Sequence, residues 1–364
     1  MSFGSTIKKL RHNLDMTQED LAEMLSISSQ AVSRWETDSA MPDISLIAPL
    51  CSIFDISADE LLGIDTAKTE EKVHTICNEA SSFSSRGYLD EARKIPDDGL
   101  NRFPNHPKII YELMYLSYMQ YNACAERQRL DDAIVYGEKL LLSSTNNTHR
   151  NGAVQILCYA YKDAGRLEDA TKMAESMPYM VISRDFLLTR VLSGNKAYSA
   201  KQSLISNLVQ HLSNNLNDLQ TVMDSGEYAY TPAECAILRD KRIALLHLFY
   251  ENGDFGFYHS HLSDTHLKQA KHYAQIGDLE KALEHLSSAT THSIRFITES
   301  DMGNTALVFR GSSRGSWSTN IPENDAAVLL GNMEDKVFDN IRSREEFIKI
   351  KNMLTSYAGS WIIE

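Results

Sequence analysis

Apolar residues in the first sixty positions recur at intervals of three and four, which is the spacing of an amphipathic helix. The pattern predicts five short helices, over residues 5–13, 17–25, 28–36, 43–54 and 57–62. Thr17 and Asp20 have the spacing of a capping box at the start of the second helix. Because only a tight turn at residues 26–28 separates the second helix from the third, the two are expected to form a helix-turn-helix.

The apolar face of each helix predicts the core of this first domain. The expected core residues are Ile7, Leu10, Leu14, Leu21, Ala22, Leu25, Val32, Trp35, Leu46, Ile47, Leu50, Phe54, Leu61 and Leu62. Ser5 or Thr6 is expected to cap the first helix, and Gly63 to end the last one. The first domain is therefore predicted to span residues 1–65.

A recurring phrase begins soon after residue 66 and predicts paired helices. Copies lie at residues 86–92, 128–133, 164–170 and 276–282, as in RGYLDEA and AGRLEDA. In each copy an aromatic-rich helix precedes the turn and an amphipathic helix follows it. The period is loose and less recognisable between residues 180 and 260, and the stretch resembles a degenerate tetratricopeptide array. The predicted fold is all-α, with a five-helix domain followed by an α-solenoid of helical hairpins over residues 66–364.

The C-terminal part departs from this rhythm. Residues 302–322 contain the Gly/Ser-rich segment 311–320 and are expected to form a long loop. Residues 334–357 are expected to form a final helical region that caps the solenoid. Its apolar positions are Val337, Phe338, Ile341, Phe347, Ile348 and Leu354.

The first domain carries a set of residues in a characteristic order, namely Thr17-Gln18, Leu21-Ala22, Ser28, Val32, Trp35-Glu36, Pro42 and Asp59-Glu60-Leu61-Leu62. Through these residues, over about 58 positions, it resembles the DNA-binding domain of the Cro/C1-type (XRE) family of bacterial and phage repressors. One departure is Ser26, where the family usually has Gly. A serine can adopt the positive φ of that turn at some energetic cost.

The resemblance makes the third helix a recognition helix for the major groove. Since Val32 and Trp35 point to the core, the outward-facing candidates for contact with base edges are Ser29, Gln30, Ser33 and Arg34. The resemblance also implies backbone contacts from Gln18, Ser28 and Thr37. Arg11 and Glu36 match positions that form a structural ion pair in the family. The alternative is that the polar residues are only solvated.

Charge argues against generic nucleic-acid binding. The chain has a net charge of -13, and residues 1–65 hold four basic and eleven acidic side chains. Any DNA contact must therefore be local, and the affinity of one domain is expected to be weak. We expect a homodimer, assembled through the repeat domain, to bind two half-sites of a double-stranded operator.

Candidate chemistry elsewhere is sparse. The five cysteines are scattered and form no C-x-x-C pair, which favours reduced core thiols. Seven of the twelve histidines lie between His247 and His292, but they lack the helical spacing of metal ligands, so we expect solvated or inter-helix histidines and no metal. Catalytic and nucleotide-binding motifs are missing, so neither an enzyme nor a cofactor is expected. No apolar run is long enough for a membrane span, which favours a cytoplasmic protein.

The favoured interpretation is a transcriptional regulator whose repeat domain dimerises and senses an effector. The layout resembles Gram-positive regulators that respond to short signalling peptides. The stripe Tyr111, Tyr115, Tyr118 and Tyr121 lies on one helix face and is either core packing or an aromatic wall for a ligand. Tyr118, Gln120, Asn122 and Tyr159 are candidates to face a peptide, although the sequence identifies no effector site. The alternative function is a protein-interaction scaffold whose first domain has weak or lost DNA affinity.

Overall fold

The computed structural model describes residues 3–62, 66–299, 303–312 and 321–359. It divides into two compact units, Met1–Asn78 and Glu79–Glu364. Both units are built from α-helices, and the described residues contain one small antiparallel hairpin. The predicted all-α fold is confirmed, while the predicted domain boundary after residue 65 stays a prediction.

The first unit contains the five predicted helices. They are α1 (Phe3–Asn13), α2 (Gln18–Met24), α3 (Ser29–Glu36), α4 (Ile47–Phe54) and α5 (Ala58–Leu61), with a 3-10 turn at Ile44–Leu46 and the start of α6 (Thr66–Ser84). The capping box of α2 is present, because the Thr17 hydroxyl accepts the Asp20 N–H at 3.1 Å and the Asp20 carboxylate accepts the Thr17 N–H at 2.7 Å. Ser26 has a φ of 56°, which is the left-handed conformation expected at this turn.

The core of the first unit follows the predicted apolar faces with two exceptions. Ile7, Leu21, Val32, Leu50 and Leu61 are fully buried, and Trp35 and Phe54 are nearly so. Leu14 and Leu62 are exposed, because each lies just beyond the end of its helix and no longer shares its buried face. Ser5 and Thr6 lie inside α1 rather than capping it, since the helix begins at Phe3. Gly63 lies outside the described residues.

The second unit contains twelve further helices and one hairpin among its described residues. They are α7 (Leu89–Arg102), α8 (Pro107–Cys124), α9 (Arg127–Ser143), α10 (Asn147–Asp163), α11 (Leu167–Glu175), α12 (Arg184–Val191), α13 (Gly194–Asp218), β1 (Met223–Asp224), β2 (Glu227–Tyr228), α14 (Pro232–Phe249), α15 (Tyr258–Gln275), α16 (Leu279–Thr298), α17 (Asp325–Asn332) and α18 (Glu345–Thr355). From α7 to α11, and again from α12 to α18, each helix packs against the next one along the chain.

All four recurring phrases lie in helical hairpins, as predicted, and three of them span the turn itself. In three of them a glycine takes the left-handed conformation, with φ of 82° at Gly87, 79° at Gly165 and 83° at Gly277. The remaining turn is displaced from its phrase. Ala125 takes the left-handed position there with a φ of 54°, and α9 begins at Arg127, so Leu130 lies one turn inside the helix. The recurring phrase therefore predicts where a hairpin lies, but not the exact residue at which its turn occurs.

The C-terminal residues pack on the last hairpin. Phe338, Ile341, Phe347 and Leu354 are buried in one cluster with α15, α16 and α17, which agrees with the predicted cap. Ile348 is exposed, and α17 lies where the sequence predicted no helix. Residues 313–320 of the predicted loop lie outside the described residues.

Candidate nucleic-acid interface

Helix α3 presents a polar stripe on the face opposite its buried side. Val32 and Trp35 are buried, which turns Gln30 and Arg34 outward. Ser33 lies on the same stripe and is half-buried, as is Ser29 at the start of the helix. The structure therefore brings four predicted base-contacting residues onto one helix, with the longest two most exposed.

The side chains of Gln30 and Arg34 have no hydrogen-bond partner within the described part of the chain. Their donors and acceptors are consequently available to base edges. Gln can pair with adenine N6 and N7, and Arg can pair with guanine O6 and N7. The protein offers an outward-facing pair with hydrogen-bonding groups suited to direct base readout.

The two hydroxyl groups at the ends of α3, those of Ser28 and Thr37, differ in whether their hydrogen is free to bond to a phosphate. The Ser28 hydroxyl caps the helix by accepting the Ala31 N–H at 3.3 Å, which leaves its own hydrogen free for a phosphate. The Thr37 hydroxyl lies 3.0 Å from the Ser33 carbonyl oxygen and donates to it. A phosphate contact by the Thr37 hydroxyl would therefore require this internal hydrogen bond to be exchanged.

A buried ion pair fixes the end of α3 to α1. Arg11 Nε donates to Glu36 Oε1 at 2.6 Å, and Arg11 Nη2 donates to Glu36 Oε2 at 3.2 Å. Their side chains are only 7% and 3% exposed. Burial alone would raise the pKa of Glu36, but hydrogen bonds from Arg11 and Gln18 outweigh it and hold that pKa below its ordinary value.

Gln18 also belongs to this network, and the sequence did not predict its hydrogen bond to Glu36. Its Nε2 donates to Glu36 Oε2 at 2.8 Å, so part of the amide expected at the DNA backbone is committed inside the domain. Arg11 also donates to the Met16 carbonyl at 2.5 Å. The network links α1, the α2 start and the end of α3, and therefore fixes the angle at which α3 is presented.

The second unit contains an open cavity of about 560 Å³ along one face of α13. Its lining is rich in amides and hydroxyls and includes Asn195, Tyr198, Ser199, Gln202, Ser203, Ser206, Asn207, Tyr250, Asn304, Phe309 and Arg310. The Gln202 amide donates to the Val308 carbonyl at 3.0 Å and so holds the wall formed by residues 303–312. Asn195, Asn207 and Arg310 have no side-chain partner among the described residues.

The candidate peptide-facing residues of the earlier hairpins are less available. Gln120 is buried, and its amide donates to Asp90 at 2.6 Å. Tyr118 donates its hydroxyl proton to Asp163 at 2.9 Å. Asn122 and Tyr159 are exposed. The tyrosine stripe of α8 is half-buried and packs against the α9 and α10 residues of two core clusters, which agrees with the core-packing alternative.

Helices α15 and α16 bring four histidines together in a way that spacing along one helix does not show. His259 Nδ1 lies 2.8 Å from His292 Nδ1, and His266 Nδ1 lies 2.9 Å from His285 Nδ1. In each pair one ring donates and the other accepts. Burial first, and neighbouring positive charge second, lower the pKa of His266 to about 3 and that of His292 to about 4.

Neither a metal-binding cluster nor a membrane-crossing helix is found in the part of the chain that the structure describes. Within residues 3–62, 66–299, 303–312 and 321–359, no group of three or more His, Cys, Asp or Glu side chains is arranged to hold a metal ion. In the same ranges, no helix combines the length and the apolar character that crossing a bilayer requires.

Residues 7–61 match the family model described as "Helix-turn-helix". The match runs from Ile7 within α1 to the end of α5 and includes the turn at Ser26 and helix α3. The N-terminal domain is an XRE-type helix-turn-helix domain. This identification agrees with the resemblance drawn from Thr17-Gln18 and Trp35-Glu36.

Curated relatives share this helix-turn-helix region with the chain. The transcriptional activator BcrR of Enterococcus faecalis is 34% identical over 76 residues, which are 20% of this chain and 37% of BcrR. The transcriptional regulator ImmR of Bacillus subtilis (strain 168) is 35% identical over 65 residues, 18% of this chain and 51% of ImmR. The match thus spans about half or less of each relative.

Among solved structures, a crystal structure of Bacillus thuringiensis PlcR in complex with the peptide PapR7 and DNA aligns with 80% of this chain and 94% of PlcR. The alignment has 14% sequence identity and a TM-score of 0.31.

Proposed function

We propose that this protein is a sequence-specific DNA-binding transcriptional regulator. The observation that carries the proposal is the α3 stripe, where Gln30 and Arg34 stand exposed and unpaired on the recognition helix of an XRE-type domain. The Arg11–Glu36 pair fixes the end of this helix and with it the direction in which the exposed side chains point. Two relatives that share the domain are named as transcriptional regulators, which supports the same function.

In this proposal Gln30, Ser33 and Arg34 read base edges, with Ser29 at the groove margin. Ser28 donates its free hydroxyl proton to a phosphate, and the second Nε2 hydrogen of Gln18, which Glu36 does not use, donates to another phosphate. Thr37 contributes only if its internal hydrogen bond is exchanged. The contacts to bases supply the sequence preference, and the contacts to phosphates fix the register.

The repeat domain is proposed to dimerise the protein. Residues 1–65 have a net charge of -7, so a single domain gains little from counterion release on DNA. Two domains in one dimer add an effective concentration in the ~mM range for the second half-site. Homodimerisation would therefore compensate for the weak electrostatic attraction of each domain.

The α13 cavity is proposed to hold a short peptide effector. Asn195 and Asn207 are twelve residues apart on α13, which is about 18 Å along the helix and matches five or six residues of extended peptide. Their unpaired amides can bond to peptide N–H and C=O groups, and Arg310 supplies a positive charge for a terminal carboxylate. We expect no catalytic activity and no cofactor, and binding to chromosomal DNA would place the protein in the cytoplasm.

The DNA-binding proposal is tested by selecting bound sequences from a random duplex pool with the full chain. Enrichment of one motif in two symmetric half-sites, with affinity that falls as salt rises, is the expected result. A pool that stays random after repeated rounds would contradict the proposal and favour the scaffold alternative. The effector proposal is tested separately, by thermal shift and operator binding across fractions of cell extract and medium. An effector that changes operator affinity must have its own affinity changed by the operator by the same factor.

A further inference from the structure

The segment 179–191 exposes more apolar surface than a soluble monomer normally leaves in one place. None of its thirteen residues is buried. Six large apolar side chains in this segment are between 51% and 76% exposed, namely Tyr179, Met180, Val181, Ile182, Leu187 and Val191. Contiguous patches of this kind mark interaction sites in soluble proteins. We refer to these six residues as the α12 surface.

The composition of α12 indicates that the helix is meant to be covered on more than one side. Phe186 and Leu188 are half-buried, while Leu187 and Val191 are exposed, so the four apolar residues of the helix do not all share its covered face. In the described structure α12 packs mainly against α13 and the 3-10 turn at Met180–Ile182. Eight residues form too short a helix to be stable without packing, so covering its outer side would stabilise it.

The size of the α12 surface suits a protein partner rather than a small ligand. Its six large residues, each 51–76% exposed, together expose an area on the order of the ~800 Å² that each partner contributes to a specific interface. No cavity of ligand size among those described is lined by any of these residues. The surface is therefore wide and open, as an interface between two proteins is.

Charge allows a second copy of this chain to bind at this segment. The chain has a net charge of -13, so two copies repel each other over most of their surfaces. Residues 179–191 carry only Arg184, Asp185 and Arg190, a local excess of one positive charge. Two copies can therefore approach through this segment with less repulsion than the net charge implies.

We propose that the α12 surface binds the same surface of a second copy and forms the interface of the homodimer. The proposal rests on the homodimer of the proposed function and adds where the two copies meet. A two-fold axis would place Leu187 and Val191 of each copy against the same helix of the other, because such an interface uses the same patch twice. Each substitution in the patch consequently acts twice per dimer.

The test is sedimentation velocity of the full chain and of three variants across a concentration series. Leu187→Glu and Val181→Glu place a carboxylate in the interface, and each is expected to raise the dimer dissociation constant by about 100-fold or more, because two charges are buried per dimer. Leu142→Glu is the matched control, since Leu142 is 91% exposed on α9 and lies outside the patch. The control is expected to dimerise like the wild-type protein.

Each outcome bears on a separate part of the proposal. Monomeric Leu187→Glu and Val181→Glu variants with unchanged far-UV circular dichroism, beside a dimeric control, support the α12 surface. Dimers that survive both substitutions overturn it and leave the proposed homodimer in place. A wild-type chain that is monomeric at tens of micromolar, with and without operator, overturns both the interface and the homodimer. Because both positions are exposed, two variants that fail to fold would contradict the described exposure.

Discussion

The buried histidines of α15 and α16 predict that acid weakens the second unit in a way that single substitutions can isolate. His266 is 8% exposed and shares a hydrogen bond with His285. Its pKa is lowered to about 3, mainly because burial penalises the charged ring and then because other histidines surround it. In the unfolded chain the same side chain titrates near its ordinary value of 6.5.

The sign follows from proton binding. Between pH 6.5 and the lowered folded-state value, the unfolded chain binds a proton at His266 that the folded chain does not bind. The free energy of unfolding therefore falls as the pH falls. For His266 the loss between pH 7 and pH 5 is about 2 kcal/mol. Most of it accumulates below pH 6.5, where the unfolded ring is protonated.

The His266→Asn variant removes this titration while keeping a polar side chain beside His285. It is expected to be less stable than wild type at pH 7, because one hydrogen bond is lost, but to lose about 2 kcal/mol less between pH 7 and pH 5. Glu112→Gln is the control of opposite sign. Burial raises the pKa of Glu112 to about 7, so the wild-type carboxyl gains a proton on acidification when folded and offsets part of the loss.

The assay is urea denaturation of the full chain, followed by far-UV circular dichroism at pH 7, 6 and 5. The quantity to compare is the change in unfolding free energy with pH, taken as variant minus wild type. Carboxylates elsewhere contribute equally to both proteins, so their contribution cancels in this difference. An identical pH dependence for His266→Asn and wild type would refute the reasoning. It would mean that the folded histidine takes up protons as readily as the unfolded one.

Three substitutions test the local structure by hydrogen exchange or melting of the full chain. Glu36→Ala leaves Arg11 buried without its partner, so amides of α1 and α3 are expected to lose ~3–5 kcal/mol of protection; unchanged exchange would show that the pair is not stabilising. Ser26→Gly relieves a left-handed serine and is expected to add about 0.5–1 kcal/mol, whereas destabilisation would argue against the assigned turn. Gly87→Ala is expected to lower the melting temperature more than Gly165→Ala. Both glycines have a φ near 80°, but a Cβ at residue 87 would lie 2.6 Å from the nitrogen of Pro322, whereas residue 165 faces open space; equal effects would contradict this contact.

Local signals account for the parts of the fold that the sequence predicted. Two of these signals act within a few residues: the capping box at Thr17 and the glycines of the hairpin turns. Their conformations can therefore be predicted without knowledge of the tertiary structure. Leu14 was predicted to be buried but is exposed, because it lies past the last residue of its helix. The hairpin at Ala125 was displaced because an alanine, not a glycine, takes the left-handed position.

Contacts between residues on two different helices could not be predicted from the sequence. His259 and His266 are seven residues apart on α15, as are His285 and His292 on α16, so they meet only because the two helices pack side by side in opposite directions. Spacing within one helix argues against metal ligands on that helix but says nothing about such pairs. Gln18 likewise had no sequence signal for its bond to Glu36, which lies 18 residues away. The exposed α12 surface could be read only once the helix that packs beside it was known.

The most direct test of the central proposal compares operator selection by the wild-type chain with selection by Arg34→Ala and Arg34→Lys. If α3 reads bases through Arg34, the alanine variant loses about 1–3 kcal/mol of binding on the preferred site and its preference at one base pair of each half-site. The lysine variant keeps the charge and the binding to unrelated duplex but loses the same preference, because it lacks the paired donors of the guanidinium. Unchanged affinity and an unchanged motif in both variants would contradict the assignment of α3 as the helix that reads DNA through Arg34.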